Sequence, residues 1–375
     1  MRPDSWEGLR RILAVRLDNL GDLVMLGPSL RGLCTRFPEA RITLLASPAG
    51  AQAAPLLPWV HDVIAHRATW QDASAALPLD PAREAGLVEA LRARAFDAAF
   101  IFTSFSQSPW PPAFVCYQAG IPRRVGQARD FGGSLLTVRA TPPADCTHQV
   151  DRNLNLLEAI GIAVGDRALA VTPPPDAEAS AERALRRLGI EPGAPFILVA
   201  PGASCAARRY SPSRFAQAVT RLERAVKLPI VLTGSPREAT LLETSRMRAR
   251  STGVRALGGD SSVAELAAIV ARARLLLGNN SGPMHLAEAC RCPMVILYSG
   301  TDLEEQWQPR RAPTTLLRRP TPCEPCYRFE CPYHMECLDI PASEVADACV
   351  EMLDRTAHRA RVQARNEATA SAPGS

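Results

Sequence analysis

The chain reads as an α/β protein built of two doubly wound domains, and three features of its sequence predict this. Short apolar runs alternate with amphipathic stretches along nearly its whole length, the pattern of βαβ units that build a parallel sheet. Pro173-Pro174-Pro175 interrupts that alternation near the middle, as a linker does. The third feature is Leu275-Leu276-Leu277, followed by Gly278-Asn279-Asn280-Ser281-Gly282-Pro283-Met284-His285 and then by Met294-Val295-Ile296-Leu297-Tyr298. That order spells strand, Gly-rich turn, helix and strand, with a helix N-terminus placed where an anion can sit.

In the first half, residues 12–17, 41–45, 60–65 and 98–102 are expected strands. Helices are expected at 23–37, 82–95 and 150–160. In the second half, strands are expected at 195–200, 229–233, near Val254, at 275–277 and at 294–298. The helices there fall at 211–226, 236–250, 262–272, after Ser281, and at about 343–357. This divides the chain into residues 1–172 and 173–357, with a Cys-rich insertion at 321–339 and a disordered tail at 358–375 that is rich in Ala, Ser and Arg. Two α/β halves of similar size suggest a ligand cleft between them.

Bulk composition narrows the class of protein. A length of 375 residues suffices for two hydrophobic cores. Hydrophobic content of 47% and charged content of 22% are those of a globular protein. No run is long and apolar enough for a membrane span, and the start shows no apolar signal region, so a cytoplasmic location is expected. The net charge of +5 comes almost wholly from Arg, since Lys227 is the single lysine. This suits phosphate-bearing substrates or a loose contact with a membrane surface. Without a basic stripe interleaved with aromatics, it argues against nucleic acid.

Four loops can carry chemistry. Arg16-Leu17-Asp18-Asn19-Leu20-Gly21-Asp22 ends the first strand, where ligands of open α/β sheets bind. There Asp22 can serve as a general base or simply stabilise the following helix N-terminus. Pro201-Gly202-Ala203-Ser204 leads to Arg208-Arg209-Tyr210-Ser211, and two cations after a Gly-rich turn can hold a diphosphate by charge-assisted hydrogen bonds or form a solvated basic loop. Gly234 and Glu238 lie in a third turn, where a carboxylate can bind ribose hydroxyls. The fourth is the turn after residue 277. The segment 104–110, ending in Trp110, can line an acceptor site, touch a membrane or pack in the core.

Taken in order, these motifs resemble the family-9 glycosyltransferases, whose best-known members are bacterial heptosyltransferases acting on lipopolysaccharide core. The resemblance spans residues 11 to 352. It implies a GT-B fold, two Rossmann-like domains facing a cleft, with the acceptor site in the N-terminal domain and the nucleotide-sugar site in the C-terminal one. The family's catalytic base falls on Asp22. Its donor-phosphate cation, a Lys two residues before an aromatic, falls on Arg208, with Arg209 beside it; Arg keeps the charge but adds a planar fork. The ribose-binding Glu falls on Glu238 near Gly234, and the family's Asp-Ser/Thr-Gly-Pro-x-His segment falls on Asn280, Ser281, Gly282, Pro283, Met284 and His285. Asn280 stands where the family has Asp, which removes a negative charge beside the donor sugar.

Eleven cysteines are many for a cytosolic chain. Seven are scattered and read as small core residues. Cys323-x-x-Cys326-x4-Cys331-x5-Cys337 is a compact set, and four thiolates can surround one structural zinc or iron. Two disulfides or free thiols are the other readings, the former disfavoured in a cytosol. Similar Cys-rich insertions occur in iron-containing heptosyltransferases of the same family.

The expected function is that of an inverting, metal-independent glycosyltransferase, with no catalytic cofactor. A heptose or related sugar would pass from a nucleotide-sugar, ADP-heptose favoured, to a hydroxyl of a lipopolysaccharide or other glycan acceptor. The alternatives are a non-catalytic nucleotide-sugar-binding scaffold, a protein-modifying heptosyltransferase and a GT-B epimerase. A peripheral contact with the inner membrane and a homo-oligomer are further expected partners of such a chain.

Overall fold

The structure is a computed structural model that describes residues 6–72, 76–235, 238, 253–257, 259 and 261–370. The chain divides into two compact units. The first runs to Pro174 and takes in Glu305–Gln308; the second holds Pro175–Glu304 and the chain from Pro309 onward. The break between the units falls after Pro174, within the Pro173-Pro174-Pro175 run and two residues later than the sequence boundary at 172. The return of residues 305–308 to the first unit had no sequence signal. It is fastened there by Gln306 Nε2 donating to the Asp145 carbonyl at 2.6 Å and by a 3.0 Å contact between His148 Nε2 and the Gln308 carbonyl.

In the first unit, β1 (Arg11–Arg16), β2 (Arg41–Ala46), β3 (Asp62–Ala65), β4 (Ala98–Ile101), β5 (Arg123–Gln127) and β6 (Val138–Ala140) form one sheet in the order β3-β2-β1-β4-β5-β6. Every pairing is parallel. Side chains of β1 alternate between two cores: Ile12 and Ala14 join one cluster, Leu13 and Val15 the other. Both faces of the sheet are thus covered, which explains why β1 reads as a continuous apolar run rather than an alternating one. The helix Leu20–Arg36 follows β1, and Pro81–Ala93, Trp110–Gln118 and Gln149–Glu158 are further helices of this unit.

The second unit repeats the plan. Strands β7 (Ile197–Ala200), β8 (Ile230–Leu232), β9 (Val254–Ala256), β10 (Leu275–Asn279), β11 (Met294–Leu297) and β12 (Thr314–Leu317) pair in parallel in the order β12-β11-β10-β7-β8-β9. Strand order reverses between β1 and β4 in one unit and between β7 and β10 in the other. These are the switch points where doubly wound sheets bind ligands.

The two-unit α/β fold expected from the sequence is the fold found. Strands β5, β6 and β12 and the helices Trp110–Gln118 and Pro175–Arg187 are additional to the sequence reading. The helix read at 236–250 lies outside the described residues apart from Glu238. The last helix, Ala342–Ala370, packs onto Pro212–Ala225 through Val345, Cys349 and Met352. It continues to Ala370, through most of the 358–375 segment for which the sequence predicts a disordered tail; the Ala, Arg, Glu and Gln of that stretch are strong helix formers. Among the described residues no helix is long and apolar enough to cross a membrane.

Candidate active site

In the first unit the site grows from the carboxyl end of β1. Arg16, its last residue, is entirely buried, although arginine is seldom so without partners. Its guanidinium reaches two carboxylates. Nη2 donates to Asp22 Oδ1 at 2.9 Å, and Nε stands 2.9 Å from Asp18 Oδ2. The angle of the second contact is too bent for a hydrogen bond, so it is an ion pair. Nη2 also donates to Ser104 Oγ at 2.8 Å, across the switch point in the loop after β4.

Asp22 stands in the first turn of the helix Leu20–Arg36, where its Oδ2 accepts the Asn19 backbone N–H at 3.2 Å. It therefore caps the helix, and it also presents a carboxylate, 14% exposed, at the mouth of the switch point. The two readings of Asp22 as base and as helix stabiliser are compatible, because each oxygen has a second lone pair. Burial pushes the Asp18 carboxyl above its ordinary value. Arg16 opposes that rise, the neighbouring Asp22 adds to it, and a hydrogen bond from Gln107 Nε2 opposes it. One buried guanidinium thus serves two carboxylates.

In the second unit the turn after β7 is locked by Asn279, the last residue of β10. Its Oδ1 accepts the Tyr210 N–H at 3.2 Å, and its Nδ2 donates to the Pro201 and Gly202 carbonyls at 2.8 and 3.2 Å. Beyond it the helix Gly282–Ala289 begins. Ser281 occupies the N-cap position but makes no cap hydrogen bond. Its hydroxyl turns to the Gly202 and Asn279 carbonyls, both at 3.4 Å. Asn280 Oδ1 accepts the Ser299 N–H at 3.2 Å, holding the loop after β11. Neither residue caps the helix, so its first-turn N–H groups keep their capacity for an anion. Pro283 has no N–H and Met284 donates to the Ser281 carbonyl at 3.0 Å, which places that capacity at Gly282. Met284 and His285 are buried beneath the turn.

Arg208 Nη2 pairs with Asp302 at 2.6 Å and its Nε donates to Thr301 Oγ1 at 3.0 Å. Arg209 instead places Nε and Nη2 on the Ala203 carbonyl at 3.1 and 3.0 Å, bracing the turn from within. At the other end of the turn, the half-buried Glu238 lies against Gly202, where an added Cβ would come within 1.8 Å of Glu238 Oε1. Glu238 Oε2 accepts the Ser235 N–H and hydroxyl at 2.8 and 2.9 Å, which orients the carboxylate beside the half-buried Gly234.

The Cys-rich loop lies on the same side of this unit. Cys326 N–H donates to the Gly300 carbonyl at 3.0 Å and Tyr327 N–H to the Thr301 carbonyl at 2.9 Å. All four thiols, Cys323, Cys326, Cys331 and Cys337, are free. Burial raises the Cys337 thiol, a backbone N–H from Gly300 opposes that rise, and Cys331, Cys323 and Cys326 add to it. Among the described residues no three His, Cys, Asp or Glu converge as metal ligands. The loop is held by backbone hydrogen bonds at Gly300 and Thr301. Of the scattered cysteines, Cys116, Cys205, Cys292 and Cys349 are buried as expected, while Cys34 and Cys290 are half-buried and Cys146 is exposed.

Sequence reasoning quoted Arg16 and Asp18 without giving them a role. The signal was an Arg and two Asp at spacings of two and six around a strand end. It gave no individual role to Asn279, Thr301, Asp302, Ser104 or Gln107. Asn279 had a local cue in its place before the Gly-rich turn, and Ser104 and Gln107 lay in the segment 104–110 already marked for an acceptor site; Thr301 and Asp302 are joined to the site by chain folding alone.

Each of the two doubly wound units gathers polar groups at its switch point, the place where sheets of this kind take ligands. The family model of glycosyltransferase family 9 (heptosyltransferase) matches residues 85–336, about two thirds of the chain. The chain belongs to that family. The lipopolysaccharide heptosyltransferase 3 of Escherichia coli (strain K12) is 26% identical over 169 residues, 44% of this chain and 48% of that protein. The chain thus spans about half the length of the first curated relatives it matches. Among solved structures, the family 9 glycosyl transferase from Veillonella parvula superposes with a TM-score of 0.74 at 19% identity, covering 92% of this chain and 97% of that one. The Escherichia coli ADP-heptose lps heptosyltransferase II superposes with a TM-score of 0.70 at 20% identity, covering 92% and 99%. These likenesses establish the fold and agree with the GT-B architecture that the motifs imply.

Proposed function

We propose that this chain is an inverting glycosyltransferase that moves a sugar from a nucleotide-sugar to a hydroxyl of a glycan or glycolipid, with no metal in the chemical step. The observation that carries the reading is Asp22, a carboxylate oriented by a fully buried arginine at the switch point of the first unit, in a chain of family 9. Asp22 takes the proton of the acceptor hydroxyl as that oxygen attacks the anomeric carbon. The bond from that carbon to the diphosphate breaks. Negative charge then grows on the leaving group, where Arg208 and the N-terminus of the helix Gly282–Ala289 stabilise it. Asp302 aims the Arg208 fork before the donor arrives and shares it afterwards. Glu238, beside Gly202, is suited to accept ribose hydroxyls.

ADP-heptose is the favoured donor, because solved structures of like fold include an ADP-heptose heptosyltransferase. A lipopolysaccharide-type acceptor is favoured because a curated relative acts in that class. The reaction is placed at the cytoplasmic face of a membrane, with peripheral contact, and assembly into a homo-oligomer belongs to the same reading. A structural zinc or iron in the Cys-rich loop rests on donor chemistry alone, four free thiols; no step is routed through it.

Nucleotide selectivity tests the donor half of the proposal. In a thermal-shift titration with ADP-, GDP-, UDP- and dTDP-sugars without added magnesium, one nucleotide class should raise Tm selectively. The Arg208→Ala variant should weaken binding of that donor by about 10–100-fold, the scale of a lost charge-assisted contact. Equal binding by wild type and variant would remove Arg208 from the site.

A further inference from the structure

The turn between Pro201 and Arg209 is gripped differently at its two ends, and this sets a direction along the donor site. Its Gly202 end faces Glu238. Its Arg208 end is tied to Thr301 and Asp302. At that second end the Ala207 N–H donates to the Phe329 carbonyl at 3.0 Å. Phe329 belongs to the Cys-rich loop, whose Cys326 and Tyr327 also bond the backbone at Gly300 and Thr301. The loop is therefore fastened both to the neighbour of Arg208 and to the residues that hold its guanidinium.

This fastened loop displays apolar rings to solvent. Of the seven exposed large hydrophobic residues among those described, three are Tyr327, Phe329 and Tyr333, within one seven-residue stretch. Phe329 is 61% exposed although its backbone is pinned. Leaving such a ring in water forgoes the stabilisation that covering it would give. A ligand spanning the turn with its ribose at Glu238 and its diphosphate at Arg208 would have its remaining part, the sugar, at the Phe329 end.

We propose that Phe329 forms the sugar-side wall of the donor site, its ring packing against the C–H face of the transferred sugar. The inference rests on the donor reading given above and adds a residue that selects for the sugar rather than the nucleotide. A flat ring offers a large apolar area with little conformational freedom to lose, which suits the weakly apolar face of a pyranose. Phe329 makes no contact with the base or phosphates in this account, so its removal separates the two halves of the donor.

The test is calorimetric titration of wild type and Phe329→Ala with ADP and with ADP-heptose. The variant should bind ADP within about twofold of wild type and ADP-heptose about three- to tenfold more weakly, the scale of one aromatic contact. Phe329→Trp should restore the sugar-dependent gain. The Phe329 side chain is exposed, and an unchanged Tm of the variant separates loss of the contact from loss of fold. Equal affinity for ADP-heptose in wild type and Phe329→Ala overturns the proposal, as does an equal loss for both ligands, which would place the ring on the nucleotide. If wild type binds neither ligand, the donor reading itself falls, a result distinguishable from the other two.

Discussion

Asp22→Asn should lower the rate of sugar transfer by about 10²–10⁴-fold, the usual contribution of a positioned base, while leaving nucleotide-sugar binding intact. The substitution keeps the shape of the side chain. The amide oxygen can still accept from Arg16 Nη2 or from the Asn19 N–H, the partners of the native carboxylate at 2.9 and 3.2 Å. What is lost is the ability to take a proton. The measurement pairs a transfer rate with a donor thermal shift. A lost rate with a retained shift supports catalysis by Asp22. A retained rate would confine Asp22 to its other visible task, capping the helix Leu20–Arg36, and would favour a scaffold role in which binding alone matters.

The largest effect on stability is expected at Arg16. Its replacement by Met keeps the side-chain volume but leaves Asp18 and Asp22, each 14% exposed, without their common cation. Breaking a buried pair by removing one partner typically costs about 3–5 kcal/mol, or a fall in Tm of roughly 6–20 °C for a unit of this size. The loss should depend on pH. Asp18 already has its carboxyl raised by burial, with Arg16 as the opposing influence; without Arg16 it rises further. A carboxyl raised above its unfolded value favours the folded state most at low pH, and that contribution fades as pH climbs through the folded value. Arg16→Met should therefore be closest to wild type in acid and furthest from it at neutral pH, as thermal melts across that range would show. A pH-independent loss would mean that packing, rather than the two carboxylates, sets the role of Arg16.

Much of this was legible in the chain because the relevant information is local. Strands buried on both faces appear as short apolar runs, so β1, β2, β4, β7, β10 and β11 could be read directly. The Gly-rich turns that follow β1, β7 and β10 sit at strand ends where ligands of such sheets bind, so Asp22, Arg208 and the 280–285 segment stood out as candidates. Strands β5, β6 and β12 did not. Arg123-Arg124-Val125-Gly126-Gln127 is mostly polar by composition, and β12 is only half-buried. The support of the site was hidden for another reason. Ser104 reaches Arg16 across 88 residues of chain, and Thr301 reaches Arg208 across 93. No local pattern marks such partners. Ser281 and Asn280 are residue types that favour helix caps, but the Gly202 carbonyl and the Ser299 N–H take the same side-chain atoms instead. The Cys-rich loop shows the converse. Its spacing points to a metal, and its backbone ties to Ala207, Gly300 and Thr301, which no local pattern marks, set it beside the turn after β7.

The most direct test of the central claim is the anomeric configuration of the product. Wild-type chain, a nucleotide-sugar chosen by the thermal-shift series and a lipopolysaccharide-core acceptor would be combined without magnesium, and the new linkage assigned by NMR. A single displacement driven by Asp22 predicts a glycoside of configuration opposite to the donor, formed at a rate that Asp22→Asn lowers by about 10²–10⁴-fold and magnesium does not raise. A product that keeps the donor configuration, or a sugar altered with no acceptor present, would contradict the account.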